Sequence, residues 1–185
     1  MRHTILLLVA VLLCTGCGSV AQPTATFRSA DIADVSADGI ALKFNVDVAN
    51  PNSFDLPISG TSYNLRLGGV SVMDGTAEPT ASIPASGKLP VAIPVVVSFD
   101  RLLKAKDALA ASRGNVPYEL DGTMEFSAGP LKALGQGIRV PLNFSGTLPL
   151  RDAVKDPVAL LKTPAGRAFA EAVIGKGLIG DLLGR

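Results

Sequence analysis

An antiparallel β-sandwich, an all-β fold, is the class this sequence predicts, and three observations carry it. Five segments alternate apolar and polar residues with a period of two, the spacing by which a strand buries one face. Gly, Pro, Asn and Asp gather between those segments, where tight turns need their backbone conformations. The intervals lack the regular helical crossovers that a parallel α/β sheet requires. The chain has 185 residues, 48% of them hydrophobic, which suits one domain with a real core. Gly and Pro make up about 17% of it, below the roughly 25 to 30% of low-complexity disordered chains.

Taken in order, the chain opens with Arg2 and His3, an unbroken apolar run from Ile5 to Leu13, and then Cys14-Thr15-Gly16-Cys17. That run, at about 1.5 Å per residue, reaches only about 14 Å, half of a hydrocarbon layer about 30 Å thick, so it reads as a signal peptide and not as a membrane span. Gly18 to Ala25, rich in Ser, Gln, Pro and Thr, reads as a tether. The clearest strand follows, with Ile40, Leu42, Phe44, Val46 and Val48 on one face and Lys43, Asn45 and Asp47 on the other. Tyr63, Leu65 and Leu67 repeat the pattern, as do Val91, Ile93, Val95 and Val97, where Pro94 points to an edge or bulge. Tyr118, Leu120 and Met124 form a fourth strand, and Ile138, Val140, Leu142 and Phe144 a fifth.

Between the first two strands stands Asn50-Pro51-Asn52. Pro51 holds φ near −65°, Asn50 before it is driven to an extended conformation, and both amides are short enough to bond neighbouring backbone. Two readings stand for this motif: a turn that ends the sheet, or exposed amides that contact a partner or a sugar. Asp74-Gly75 and Ala85-Ser86-Gly87 read as hairpin turns. A helix from Phe99 through Ala111, with Asp100 near its start and Gly114 past its end, would carry the crossover from one sheet to the other.

The tail from Arg151 to Arg185 has a different pattern. Asp156-Pro157 and Thr163-Pro164 each look like an N-cap followed by proline at the first helical position. In the second helix Phe169, Val173, Ile174, Leu178 and Leu182 make an apolar stripe. The glycines at 175, 177, 180 and 184 each cost roughly 1 kcal/mol of helicity relative to Ala, so the helix needs a surface to fold on. That surface is an end or face of the sandwich, a membrane or a partner. The division expected is a signal peptide over 1–16, a cysteine and tether over 17–25, a sandwich over 26–148 and a helical tail over 149–185.

Charge and residue inventory narrow the function. The chain carries 17 Lys and Arg against 16 Asp and Glu, with no block of like charge, which speaks against nucleic acid as a partner. Its single histidine is His3, so a chain processed at Cys17 has no imidazole for a Ser-His-Asp or Cys-His system and no Cys/His zinc site. Asp31 with Asp34, and Asp121 with Glu125, are the nearest paired carboxylates, and they read as solvated edges. The expectation is a protein with no catalytic residues and no metal.

Gly16 followed by Cys17 resembles the lipobox of bacterial lipoproteins, which implies cleavage between the two and acylation of Cys17. Cys14 stands where that family usually has Leu, and Leu12 and Leu13 before it are too large for Cys14 itself to be the acylated residue. The alternative is an ordinary thiol near a secretory cleavage site, paired with Cys14. The resemblance implies several acyl chains, which at about 0.8 kcal/mol per buried methylene anchor a protein where one chain only visits. Gly18, where Asp would resemble an inner-membrane retention signal, implies the outer membrane, facing the periplasm. No cofactor is implied beyond the covalent lipid.

A second resemblance lies in the fold itself. Leu42 through Asn50-Pro51-Asn52-Ser53-Phe54, then Leu56-Pro57-Ile58-Ser59-Gly60 and Tyr63 through Gly68, is similar to the WHy domain of the group 2 late embryogenesis abundant proteins. The similarity extends over roughly residues 25 to 147 and is most specific from 40 to 70. It implies a sandwich of fibronectin type III or immunoglobulin shape and protection of proteins or membranes in desiccation or other envelope stress, through weak contacts with protein clients. The alternative expectation is a scaffold or lipid carrier using one end of the sandwich and the tail helix.

Overall fold

The computed structural model describes residues 20–36, 39–127, 137–153 and 160–175. The strands are β1 (Thr24–Val35), β2 (Gly39–Ala49), β3 (Leu56–Leu67), β4 (Val70–Ala77), β5 (Ser82–Ile83), β6 (Lys88–Ser98), β7 (Asn115–Phe126) and β8 (Ile138–Pro149). The helices are α1 (Phe99–Leu102), continued by a 3-10 turn (Leu103–Ala105) into α2 (Lys106–Ala111), then α3 (Leu150–Ala153) and α4 (Pro164–Val173). One sheet has the order β1-β2-β6 and the other β4-β3-β7-β8, with β5 pairing the start of β3. Every strand pair is antiparallel. The β-sandwich expected from the alternation is the fold observed.

Period-two alternation becomes burial strand by strand. Ile40, Leu42, Phe44, Val46 and Val48 of β2 face Leu65, Leu120 and Leu142 of the opposite sheet within one apolar core, and all are essentially inaccessible to water. Between the sheets Phe44 sets its ring edge-on to Tyr118 at 5.5 Å. Phe27 of β1 reaches across to Phe144 of β8, centroids 5.0 Å apart, so aromatic contact joins those two edges. Pro94 lies on β6, which pairs with β2 alone and is an edge strand, as a proline without an N–H to give requires.

Three strands were not expected: β5, a two-residue pairing with the start of β3, and the longer β1 and β4. In β1 the alternation is broken by register shifts between Phe27 and Ser29 and between Ile32 and Asp34, and its apolar residues are only partly buried. The tether read over 18–25 therefore ends sooner: Thr24 and Ala25 already belong to β1, and Pro23 is buried. β4 runs through Asp74-Gly75, so that pair is not a hairpin turn. The turn lies earlier, at Gly68 and Gly69, with φ of +55° and +81°; two consecutive left-handed residues match the twist of a two-residue hairpin. Gly75 sits opposite Tyr63, and a Cβ there would lie 2.8 Å from the Tyr63 hydroxyl oxygen. The glycine leaves room for an aromatic ring and bends nothing.

Ala85-Ser86-Gly87 is a turn, closed by the Gly87 amide donating to the Pro84 carbonyl at 3.0 Å. It links β5 of one sheet to β6 of the other and so is not a hairpin. The crossover helix is present but is broken into α1, the 3-10 turn and α2, and it buries Phe99, Leu102, Ala105 and Leu109 against one end of the sandwich.

Candidate functional site

Asn50 directly follows the last residue of β2, Ala49, and its backbone amide donates to the Gly87 carbonyl at 2.9 Å. Only 2% of Asn50 and 6% of Asn52 is exposed. The Asn50 amide nitrogen faces three carbonyl oxygens, Phe54 at 2.7 Å, Pro84 at 3.1 Å and Ile83 at 3.3 Å. Its Oδ1 accepts from the backbone amide of Asn52 at 2.9 Å and from the Asn52 side chain at 3.1 Å. One side chain thereby satisfies backbone of the β2–β3 turn and of the turn after β5, which Ser86 also joins by donating to the Asn52 carbonyl at 2.7 Å. The reading in which these amides are exposed to a partner fails on burial: the groups that would recognise it are already bonded inside the protein. Pro51 stands exposed at the tip.

Asn52 does a second thing that its local sequence does not announce. Its Nδ2 donates to the Ala21 carbonyl and its Oδ1 accepts from the Ala21 amide, both at 2.8 Å. This is the two-bond pattern a neighbouring strand would offer, supplied by one primary amide to a residue 31 positions away. Gln22 adds a bond to the Arg139 carbonyl at 3.3 Å. The chain entering β1 is thus fastened to the pole of the sandwich that holds both turns.

At the other pole α4 begins at Thr163, whose hydroxyl accepts from the Gly166 amide at 3.1 Å, with Pro164 in the first helical position as the sequence predicts. Phe169, Ala170 and Val173 are buried, and the Phe169 ring lies 4.8 Å from that of Phe99. Ile174 is the C-cap and is half-buried. The described part of the stripe packs on the crossover helix, so the sandwich end is the surface it folds on. Leu178 and Leu182, the cap read at Asp156-Pro157, and Gly16 and Cys17 lie outside the described residues. No helix among the described residues is long and apolar enough to cross a membrane.

The outer face of the β4-β3-β7-β8 sheet is polar. Asn64 donates to the Ser71 hydroxyl at 2.8 Å and to Asp74, Arg66 lies 3.7 Å from Glu119 and 3.5 Å from Asp121, and Arg139 pairs with Glu125 at 2.9 Å. Asp121 and Glu125 are therefore ion-paired at the sheet surface, and Asp31 accepts from Ser29 at 3.0 Å and Asn45 at 2.6 Å. Among the described residues no three acidic, histidine or cysteine side chains converge as metal ligands. A shallow cleft of about 310 Å³ between β1 and the end of β8 is lined by Ala30, Asp31, Ile32, Pro149 and Asp152, with no hydroxyl, thiol, amine or imidazole side chain among them. Burial raises the phenols of Tyr63 and Tyr118 above their ordinary range, which keeps both neutral in the core.

Comparison with known proteins adds the following. A family model described as "Late embryogenesis abundant protein" matches residues 45–148. The late embryogenesis abundant protein Lea14-A of Gossypium hirsutum is 28% identical over 132 residues, covering 71% of this chain and 79% of its own. A desiccation protectant protein, the Lea14 homolog of Glycine max, is 29% identical over 129 residues, covering 70% and 76%. Among solved structures, one from Arabidopsis thaliana superimposes with a TM-score of 0.58 at 22% identity, covering 73% of this chain and 86% of that one. A crystal structure of a protein from Archaeoglobus fulgidus gives 0.51 at 12% identity, covering 70% and 96%. At such identities the solved structures speak for the fold alone.

Proposed function

The chain belongs to the late embryogenesis abundant protein family, and from that premise we propose that it is a non-enzymatic stress protectant of the WHy type. It is held on a membrane by lipid on Cys17, faces the periplasm from the outer membrane, and shields envelope proteins or lipids when water is withdrawn. The observation that carries the proposal is the family match across residues 45–148, in a chain whose relatives include a desiccation protectant. The sheet surface suits the role. Asn64, Arg66, Asp74, Glu119 and Asp121 offer amide, guanidinium and carboxylate groups that bond to one another in dilute solution. Exposed pairs of this kind are worth only about 0 to 1 kcal/mol, so they exchange readily for a protein or headgroup surface as hydration is lost. The lipid rests on the resemblance of Gly16-Cys17 to a lipobox and on the run from Ile5 to Leu13.

The test is protection of a labile enzyme through freezing and drying by the chain from Gly18 onward, against an equal mass of inert protein. Protection above the control is expected, with a reduced effect when Arg66 and Glu119 are both changed to Ala. Protection equal to the control would reject the role. A deletion strain that survives drying and osmotic shock as well as its parent would count against it in the cell.

A further inference from the structure

The register separates the molecule into two poles. Thr24 pairs with Ala49 and Ala49 with Lys88 at one end, while Val35 pairs with Ile40 and Gly39 with Ser98 at the other. The first pole carries the Asn50–Asn52 turn, the Pro84–Gly87 turn and the point where Ala21 is clamped. The second carries the Gly68–Gly69 turn, the crossover helices and α4. The eleven residues of β2 span the distance between them, about 35 Å at about 3.3 Å per residue.

We infer that the pole bearing Asn52 is a membrane-facing surface and that the Asn52–Ala21 clamp orients the domain upon a lipid headgroup layer, with the helical cap held away from it. This rests on the lipid-anchor reading of Cys17 above. Three residues separate Cys17 from Ala21, four steps along the chain, so the clamped point lies no more than about 14 Å from the acylated residue. A tether that short is less than half the length of the domain, so the clamped pole stays at the bilayer and the opposite pole reaches it only if the whole domain lies flat along the headgroups. Releasing Ala21, Gln22 and Pro23 would move the first fixed residue to Thr24 and lengthen the reach to about 25 Å. The pole suits the occupant: Pro51, Ser53, Pro84, Ala85 and Ser86 are exposed and uncharged, and the carboxylate on these turns, Asp55, is engaged by the Ala85 backbone amide at 2.9 Å. The apolar face of α4, by contrast, is already buried on Phe99.

The test uses the full chain, lipidated in a bacterial host and reconstituted into vesicles of phosphatidylethanolamine and phosphatidylglycerol bearing a headgroup nitroxide. Single-label variants place a fluorophore at the exposed Ser53 (Ser53→Cys) or the exposed Lys104 (Lys104→Cys). Strong quenching at 53 with loss of quenching at 104 is expected. Asn52→Ala should bring the two toward equality. Because that change also touches Asn50, a second variant inserts eight Gly and Ser residues between Ser19 and Val20, which leaves every described contact intact and should equalise quenching with an unchanged Tm. Equal quenching in the parent, or a preference untouched by the insertion, would overturn the inference. A chain that neither floats with vesicles nor carries acyl mass on Cys17 would overturn the anchor reading together with it; one that floats unoriented would overturn only the orientation.

Discussion

Replacing Asn50 with alanine removes the buried side chain that ties the β2–β3 turn to the turn after β5, a junction to which the exposed Asp55 adds by accepting from the Ala85 amide at 2.9 Å. The bonds to the Phe54 carbonyl at 2.7 Å and from the Asn52 amide at 2.9 Å are the shortest it makes, and the Asn52 partner is buried. A buried polar group left without its partner costs about 1 to 3 kcal/mol. The Pro84 and Ile83 contacts at 3.1 and 3.3 Å are longer and share the same two protons, so they add little. Asn50→Ala is therefore expected to cost about 3 kcal/mol, and at about 2 to 4 °C per kcal/mol for a domain of this size to lower Tm by about 6 to 12 °C. The assay is urea unfolding and thermal melting of the chain from Gly18 onward, followed by far-ultraviolet circular dichroism. Ser53→Ala, at an exposed position in the same turn, should stay within about 0.5 kcal/mol. A loss below about 1 kcal/mol for Asn50→Ala, or one equal to the Ser53 control, would refute the claim that the motif is structural and reopen its amides as a recognition surface.

Other substitutions probe the remaining arguments. Gly75→Ala pushes a methyl to within 2.8 Å of the Tyr63 hydroxyl oxygen and should cost about 1 to 3 kcal/mol in the same unfolding assay, with part of the loss recovered when Tyr63 is shortened to Leu. Phe169→Ala removes a buried ring from Phe99 and should cost about 3 kcal/mol; a loss under about 1 kcal/mol would mean that α4 does not stabilise the sandwich. Tyr63 and Tyr118 have phenols raised by burial, so the unfolded chain gives up these protons first. Stability from this source is whole below about pH 10 and falls as pH rises through the higher folded values. The urea midpoint should hold from pH 8 to 9.5 and drop beyond it, and Tyr63→Phe with Tyr118→Phe should flatten that drop.

Some of this molecule was readable along the chain and some was not. β2, β3, β6, β7 and β8 were legible because each buries one face along most of its length, so that solvent exposure repeats every second residue in the sequence itself. The cap at Thr163-Pro164 was legible because it closes within three residues. β1 was not, because its two register shifts break the period and its apolar residues are half covered. Asp74-Gly75 misled because a turn dipeptide states only what the backbone is able to do. Gly68 and Gly69 took the turn, and the Tyr63 ring used the space at Gly75.

The asparagine motif divides along the same line. That Asn50 and Asn52 sit at a turn followed from Pro51 and from the end of the alternation in β2, both local constraints on φ and ψ. Which atoms their amides meet was decided by the pairing of the two sheets, since Ala21 lies 31 residues away from Asn52, and Ile83 and Pro84 lie 33 and 34 from Asn50. Patterns of burial and backbone angle repeat over a few residues and are written in order along the chain. Hydrogen-bond partners brought together from distant segments exist only once the hydrophobic faces have closed on one another, because until then water satisfies the same groups.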